Sequence, residues 1–256
     1  MSNLQIIPLR AFNDNYIWTL ARDGNAAVVD PGDALPALEC LQVRQLKLTA
    51  ILNTHHHADH VGGNAGLLQH CRVPVFGPHD ERIPTVSHPL REGERFELPG
   101  FDIEFLVIEI PAHTRTHIAF YGGGMLFCGD TLFACGCGRL FEGTPRQMHD
   151  SLTKLAALPD ETRVYCGHEY TLANIRFARA AEKDNPDLIV WEQEATAQRA
   201  RNEPTLPSTI AREKRANPFM RCDQAGVIAA ASQHAGKPLA DAVSVLGEIR
   251  EWKNNF

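Results

Sequence analysis

Two regimes of hydrophobic patterning divide the chain. Up to about residue 165, short apolar runs alternate with Gly and Pro punctuation; from about residue 171, apolar positions recur at helical spacing. In the first regime, Leu48–Asn53 and Ala26-Ala-Val-Val-Asp30 predict buried strands, the latter ending in the turn Pro31-Gly32-Asp33. Val73–Gly77 predicts a further short strand. Residues 101–110 open on alternation, as a half-buried strand should, and become more apolar. Met125–Cys128 and Arg163–Cys166 predict buried strands that run into Gly129-Asp130 and Gly167-His168. Val61-Gly-Gly-Asn64 reads as a turn into a helix, and the leucines of 152–158 predict another helix. In the second regime, Leu172, Ile175 and Arg176 fall at i, i+3, i+4 until Asn185-Pro186 ends that helix. The next helix is predicted over 187–201, Ser208 is placed to cap the one after, and Gly236-Lys-Pro238 separates the last two. Strands interleaved with helices, followed by helices alone, predict the α/β class and a helical C-terminal part.

Composition narrows the partners. The 256 residues suffice for one full domain and a smaller one. A net charge of −6 without basic blocks argues against nucleic acid as a partner. No apolar run reaches membrane-span length, and Met1–Arg10 lacks the pattern of a signal peptide, so cytoplasmic residence is expected, with no membrane partner. Seven scattered cysteines read as reduced thiols. A monomer is the simplest expectation.

The densest chemistry is Thr54-His55-His56-His57-Ala58-Asp59-His60, which contains H-x-H-x-D-H. It follows a predicted strand, at the carboxyl end where open α/β sheets place ligands. Imidazole with carboxylate suits zinc, iron or manganese. His55 and His57 can address one ion while Asp59 and His60 reach a second. Three further candidates each end an apolar run: His113, Asp130 and His168. The expected arrangement is one shell of His55, His57 and His113, a second of Asp59, His60 and His168, and Asp130 bridging both. Asp59 and Asp130 are the candidate catalytic carboxylates. Two such ions share a water, lower its pKa from ~15.7 toward ~7, and stabilise an oxyanion. No protein nucleophile is needed, so Cys135 and Cys137 are not expected to form an acyl-enzyme. His56 points away from its neighbours in an extended segment, and His117 is left to pack or hydrogen-bond nearby.

Thr54–His60, Pro111–His117, Phe127-Cys-Gly-Asp-Thr-Leu-Phe133 and Cys166-Gly-His-Glu-Tyr-Thr171 together resemble the metallo-β-lactamase superfamily. Within it, Cys135-Gly-Cys-Gly-Arg-Leu-Phe-Glu-Gly-Thr144 and Tyr165–Thr171 resemble the glyoxalase II, or hydroxyacylglutathione hydrolase, family; Phe12–Trp18 and Asn217–Arg221 fit as well. The resemblance implies an αββα sandwich followed by a small α-helical domain. The expected division is a metal-binding catalytic domain over 1–168 and a helical substrate-binding domain over 169–256. It further implies hydrolysis of S-D-lactoylglutathione to D-lactate and glutathione, the second step of methylglyoxal detoxification, with two divalent ions, zinc foremost and iron or manganese as alternatives. The alternative activity on this fold is a glutathione persulfide dioxygenase, which would use one iron and three ligands. For substrate binding, the resemblance points to Arg139, Phe141 and Tyr170, and to Arg250 and Lys253 meeting the glycine carboxylate. The last two lie three apart, on one face of the final helix, and are expected at a solvent-open end. Two departures stand out. Ala112 and Thr116 replace glycines of the family's P-G-H-T-x-G-H, and Arg139 and Phe141 stand where Lys and Tyr are frequent.

Overall fold

The strand-length apolar runs become sheets in the computed structural model, which describes residues 4–256. The chain divides into two units: residues up to Glu109 with Thr116–Gly129, and Ile110–Arg115 with Asp130–Phe256.

In the first unit, β1 (Gln5–Ala11), β2 (Asn15–Arg22) and β3 (Asn25–Val29) pair antiparallel, and β4 (Lys47–Leu52), β5 (Val75–Pro78) and β6 (His88–Leu90) continue the sheet in parallel. α1 (Ala34–Arg44) starts where the Asp33 side chain accepts from the Leu35 N–H. With α2 (Ala58–Val61) and α3 (Asn64–His70), it supplies the crossovers from β3 to β4 and from β4 to β5. One face of the sheet buries Ile17, Ala26, Val28, Ile51 and Val75 against Ala37 and Leu41 of α1 and Leu67 of α3. The other meets an antiparallel meander of β7 (Arg95–Glu97), β8 (Glu104–Glu109), β9 (Ile118–Gly122) and β10 (Met125–Gly129). Phe76 of β5 stacks on Phe96 of β7 at 4.4 Å, with Phe105 and Phe120 behind it. Each ring taken from water contributes roughly 1.5–3 kcal/mol, which makes this aromatic layer the seam of the sandwich.

The second unit holds the small antiparallel pairs β11 (Leu132–Phe133) with β12 (Gly136–Cys137) and β13 (Arg163–Cys166) with β14 (Ser208–Thr209). Its helices are α4 (Pro145–Ala156), α5 (Thr171–Ala181), α6 (Pro186–Ala200), α7 (Ile210–Ala216), α8 (Ala225–Ala235) and α9 (Ala242–Asn254). Thr144 and Gln147 form a capping box on α4, Asn185 caps α6 with Pro186 behind it, and Asp241 caps α9. Trp191, Phe177 and Phe219 are its largest fully buried side chains among the described residues.

Three expectations shift. The strand read over 101–110 starts at Glu104, because Gly100 takes φ +85° and residues up to 102 turn. Thr209, not Ser208, caps α7, since Ser208 spends its hydroxyl on Glu213. Asp59 and His60 lie inside a short helix rather than ahead of one. Among the described residues, no helix is long and apolar enough to cross a membrane.

Candidate metal centre

In the first unit, β4 delivers Asn53, Thr54 and His55 into a fully buried position. Asp30, at the end of β3 with φ +51°, organises the ligand segment beyond β4. Its carboxylate accepts from the Thr54 N–H and Oγ1, both at 2.7 Å, and from His60 Nδ1 at 3.1 Å. A carboxylate can only accept, so His60 donates from Nδ1 and keeps the Nε2 lone pair for an ion. Thr54 Oγ1 gives its proton to Asp30 and therefore accepts from His55 Nδ1 at 3.0 Å, which reserves His55 Nε2 in the same way. That Nε2 lies 3.1 Å from His57 Nδ1, and His60 Nε2 lies 3.6 Å from Asp59 Oδ2. Asn15 Nδ2 donates to Asp59 Oδ2 at 3.0 Å, fixing that carboxylate. A Cβ on Gly32 would sit 1.9 Å from the Asp59 carbonyl oxygen, so α2 closes against the β3 turn only over a glycine.

His117 stacks on His55 at 4.5 Å and bonds the Ile118 carbonyl through Nδ1. His56 turns away, as expected, and its Nδ1 lies 3.7 Å from Asp80. Burial works against the Asp80 charge, but hydrogen bonds from Arg82 and Thr116 outweigh it and hold the carboxyl below the usual carboxylate range. Thr116 thus uses its hydroxyl where the family pattern has glycine.

In the second unit, Asp130 Oδ2 lies 3.2 Å from His168 Nε2 and 3.6 Å from His113 Nε2. His113 donates from Nδ1 to the Arg139 carbonyl at 3.0 Å, which again reserves Nε2. A Cβ on Gly138 would meet the Asp130 carbonyl at 1.9 Å. Ala112 holds φ +152°, a region that favours glycine, and is packed against Gly143. The missing glycine is therefore borne as backbone strain.

Donor atoms around a tetrahedral ion with bonds of ~2.0–2.1 Å lie about 3.3 Å apart. The pairs within each unit span 3.1 to 3.6 Å, so the residues present fit a metal. The fold and this His/Asp donor set make a divalent metal centre.

The expected substrate residues all belong to the second unit. Tyr170 stacks flat on His168 at 4.7 Å. Phe141 is exposed, with its ring 5.3 Å from His113, and Arg139 is exposed beside it. Arg250 and Lys253 do share a face of α9, but not a solvated one. Arg250 is 5% exposed, donates to the Cys137 carbonyl at 2.7 Å, and lies over Phe219. Lys253 bonds Asn174, and burial, reinforced by Arg250, brings its pKa down to about 8. The expected solvent-open helix end is thus corrected for Arg250, whose stem α9 takes inward, while Lys253 stays half-buried. Burial also pushes the Cys135 and Cys137 thiols up, so neither is a ready thiolate. The sequence pattern does not single out Asp30, Thr54 or Glu213. Only Asp30 carries a signal, as a charge ending an apolar strand.

The helix-backed double sheet of the first unit, together with the His/Asp donors of each unit, defines the class: a metal-dependent enzyme of the metallo-β-lactamase superfamily. The family model described as "Metallo-beta-lactamase superfamily" matches residues 12–168, and "Hydroxyacylglutathione hydrolase C-terminus" matches 169–256. A hydroxyacylglutathione hydrolase of Nitrosomonas eutropha is 55% identical over 253 residues, 99% of each chain. Among solved structures, ETHE1 from Myxococcus xanthus superposes with a TM-score of 0.67 at 25% identity, over 98% of this chain and 90% of that one. TTHA1623 in a di-iron-bound form gives 0.60 at 28% identity, over 84% of this chain and 99% of that one. The chain belongs to the hydroxyacylglutathione hydrolase family, whose members are thiolester hydrolases.

Proposed function

We propose that the enzyme hydrolyses S-D-lactoylglutathione and related S-2-hydroxyacylglutathiones to the hydroxy acid and glutathione, on a binuclear centre. The proposed ligand set is His55, His57 and His113 for one ion, Asp59, His60 and His168 for the other, and Asp130 for both. Zinc suits the donors best, with iron or manganese the alternatives. When bound, the metals supply hydroxide at neutral pH and polarise the thioester carbonyl.

The chain's own residues do the rest. Asp30 and the Arg139 carbonyl hold His60 and His113 in the tautomer that ligates. Arg139, Phe141 and Tyr170 receive the tripeptide, and Arg250 with Lys253 offers cationic charge to its glycyl carboxylate. Residues 1–168 would then carry the metals and 169–256 most of the tripeptide contacts. The buried, neutral thiols of Cys135 and Cys137 leave attack to the activated water. We place the enzyme in the cytoplasm, as a monomer.

The observation that carries the reading is the posture of Asp130, one oxygen within 3.6 Å of both imidazoles of its unit. It favours a bridging carboxylate, which a mononuclear dioxygenase does not need. One purified sample decides: metal analysis together with lactoylglutathione cleavage, set against oxygen uptake with glutathione persulfide. Two ions and cleavage are expected. A fully active enzyme with a single ion, or oxygen uptake without thioester cleavage, would sink the proposal.

A further inference from the structure

Five consecutive residues of the β11–β12 hairpin are each held through the backbone by a buried polar side chain. Asn217 Nδ2 donates to the Phe133 carbonyl at 3.4 Å and to the Gly136 carbonyl at 3.0 Å. Asn174 Nδ2 donates to the Ala134 carbonyl at 2.9 Å, and Arg250 Nη1 to the Cys137 carbonyl at 2.7 Å. Between them, the Cys135 N–H donates to Glu213 Oε2 at 3.0 Å, and Cys135 itself is left-handed at φ +58°. Glu213, Asn217, Asn174 and Arg250 are all at most 5% exposed.

Apolar packing could hold such a hairpin at less cost. Buried polar groups are expensive unless satisfied, and a fully buried carboxyl more so. What they add is a fixed backbone, and the backbone here leads somewhere. Two residues beyond Cys137 comes Arg139, whose carbonyl orients His113 and whose side chain lies in the proposed substrate loop with Phe141.

We propose that Glu213 is a positioning residue for substrate binding: through Asn217 and the Cys135 amide, it locks the hairpin that aims the Arg139–Phe141 loop. This rests on the reading that the loop receives the tripeptide. Its partners suit both charge states. Ionised, the carboxylate accepts from Cys135, Asn217 and Ser208; protonated, it gives its proton to the Ser208 hydroxyl and still accepts the other two. Burial pushes its pKa up to about 7 against those hydrogen bonds and the nearby Arg212. From the elements packed on it, the titratable groups facing Glu213 are the thiols of Cys135 and Cys166, both pushed up by burial and both further raised by its charge.

A glutamine at this position reproduces the protonated pattern, and an alanine leaves the hairpin's amide unheld. The test compares Glu213→Gln, Glu213→Ala and Asn217→Ala on lactoylglutathione and on a small thioester lacking the tripeptide. Glu213→Ala and Asn217→Ala should raise KM for the full substrate about tenfold and leave KM for the small thioester unchanged, while any fall in kcat through the Arg139 carbonyl and His113 should be the same few-fold on both substrates. Glu213→Gln should stay near wild type. A folded Glu213→Ala enzyme with a lower melting temperature and unchanged KM would overturn the proposal, as would failure of both alanine variants to fold. Arg139→Ala separates the two layers. If it leaves KM unchanged, the substrate-loop reading fails; if it raises KM while Glu213→Ala does not, only the positioning role fails.

Discussion

The two units assemble comparable His/Asp donor sets by opposite routes. In the first, His55, His57, Asp59 and His60 come from six consecutive residues at one strand end, and a single buried carboxylate, Asp30, grips an imidazole directly. In the second, His113, Asp130 and His168 come from three separate segments. The buried carboxylate there, Glu213, is bonded to none of the candidate ligands in its unit and grips the Cys135 amide instead. A compact motif needs one clamp on a side chain; a dispersed one needs its loops held by the main chain.

The largest test of this contrast is the pair Asp130→Ala and Asp59→Ala. Asp130 serves two imidazoles, whereas Asp59 serves one and is partly exposed. Asp130→Ala is expected to cost on the order of a thousandfold in kcat and Asp59→Ala distinctly less. Equal losses would erase the asymmetry. Next comes Asp30→Ala, which frees the His60 tautomer and should weaken metal binding by roughly 10–100-fold, measured by competition with a chelator. Unchanged affinity would mean that Asp30 supports only the fold.

A smaller effect is expected at α9. Arg250→Ala with Lys253→Ala should raise KM for lactoylglutathione by roughly five- to a hundred-fold while sparing kcat. Because Arg250 also holds Cys137, the melting temperature should fall too. In the unmutated enzyme, Lys253 loses its proton as pH rises through about 8, so KM should climb above that value. A KM flat from pH 7 to 9 would remove Lys253 from the binding site.

Glu213 gives a stability signature of definite sign. Its folded pKa, about 7, lies above the usual 4.5, so the stability it contributes is intact below pH 4.5 and is lost as pH rises through 7. Glu213→Gln should therefore gain on the wild type between pH 5 and 8, by on the order of 3 kcal/mol or less. A pH-independent difference in melting temperature would contradict this. The smallest change is expected at Ala112→Gly. Relief of φ +152° is offset by the added freedom of the unfolded chain, leaving the net within about 1 kcal/mol. A loss of several kcal/mol would show that the methyl, not the strain, matters there.

The same contrast explains what is legible in the sequence. The strand-end ligands can be read because short apolar runs and Gly punctuation mark strand ends, and the H-x-H-x-D-H spacing speaks for itself. The membership of Asp130 and His168 in one cluster is read only from their shared place at the ends of apolar runs, since nothing local ties residues so far apart. Ser208 escapes capping rules because those rules see only neighbours, and its partner Glu213 is a tertiary one. Arg250 reads as solvated because a cation near a helix end usually is. Its burial depends on the Cys137 carbonyl, more than a hundred positions away. Glu213 leaves no mark at all: one acid in a short polar helix looks like any other.

Gly32 and Gly138 have a bearing on how this chain can change over generations. Each stands where even one carbon would overlap the carbonyl of a candidate catalytic aspartate, at 1.9 Å in both cases. No substitution there can be rescued by a rotamer, because the first atom of any side chain already collides. Nor can the aspartate's backbone retreat without carrying its carboxylate along. Drift at these two positions is closed in both directions, while Gly24, with open space around it, imposes no such steric bar. Directed libraries aimed at new acyl specificity would do well to leave the first two codons fixed and spend their diversity elsewhere.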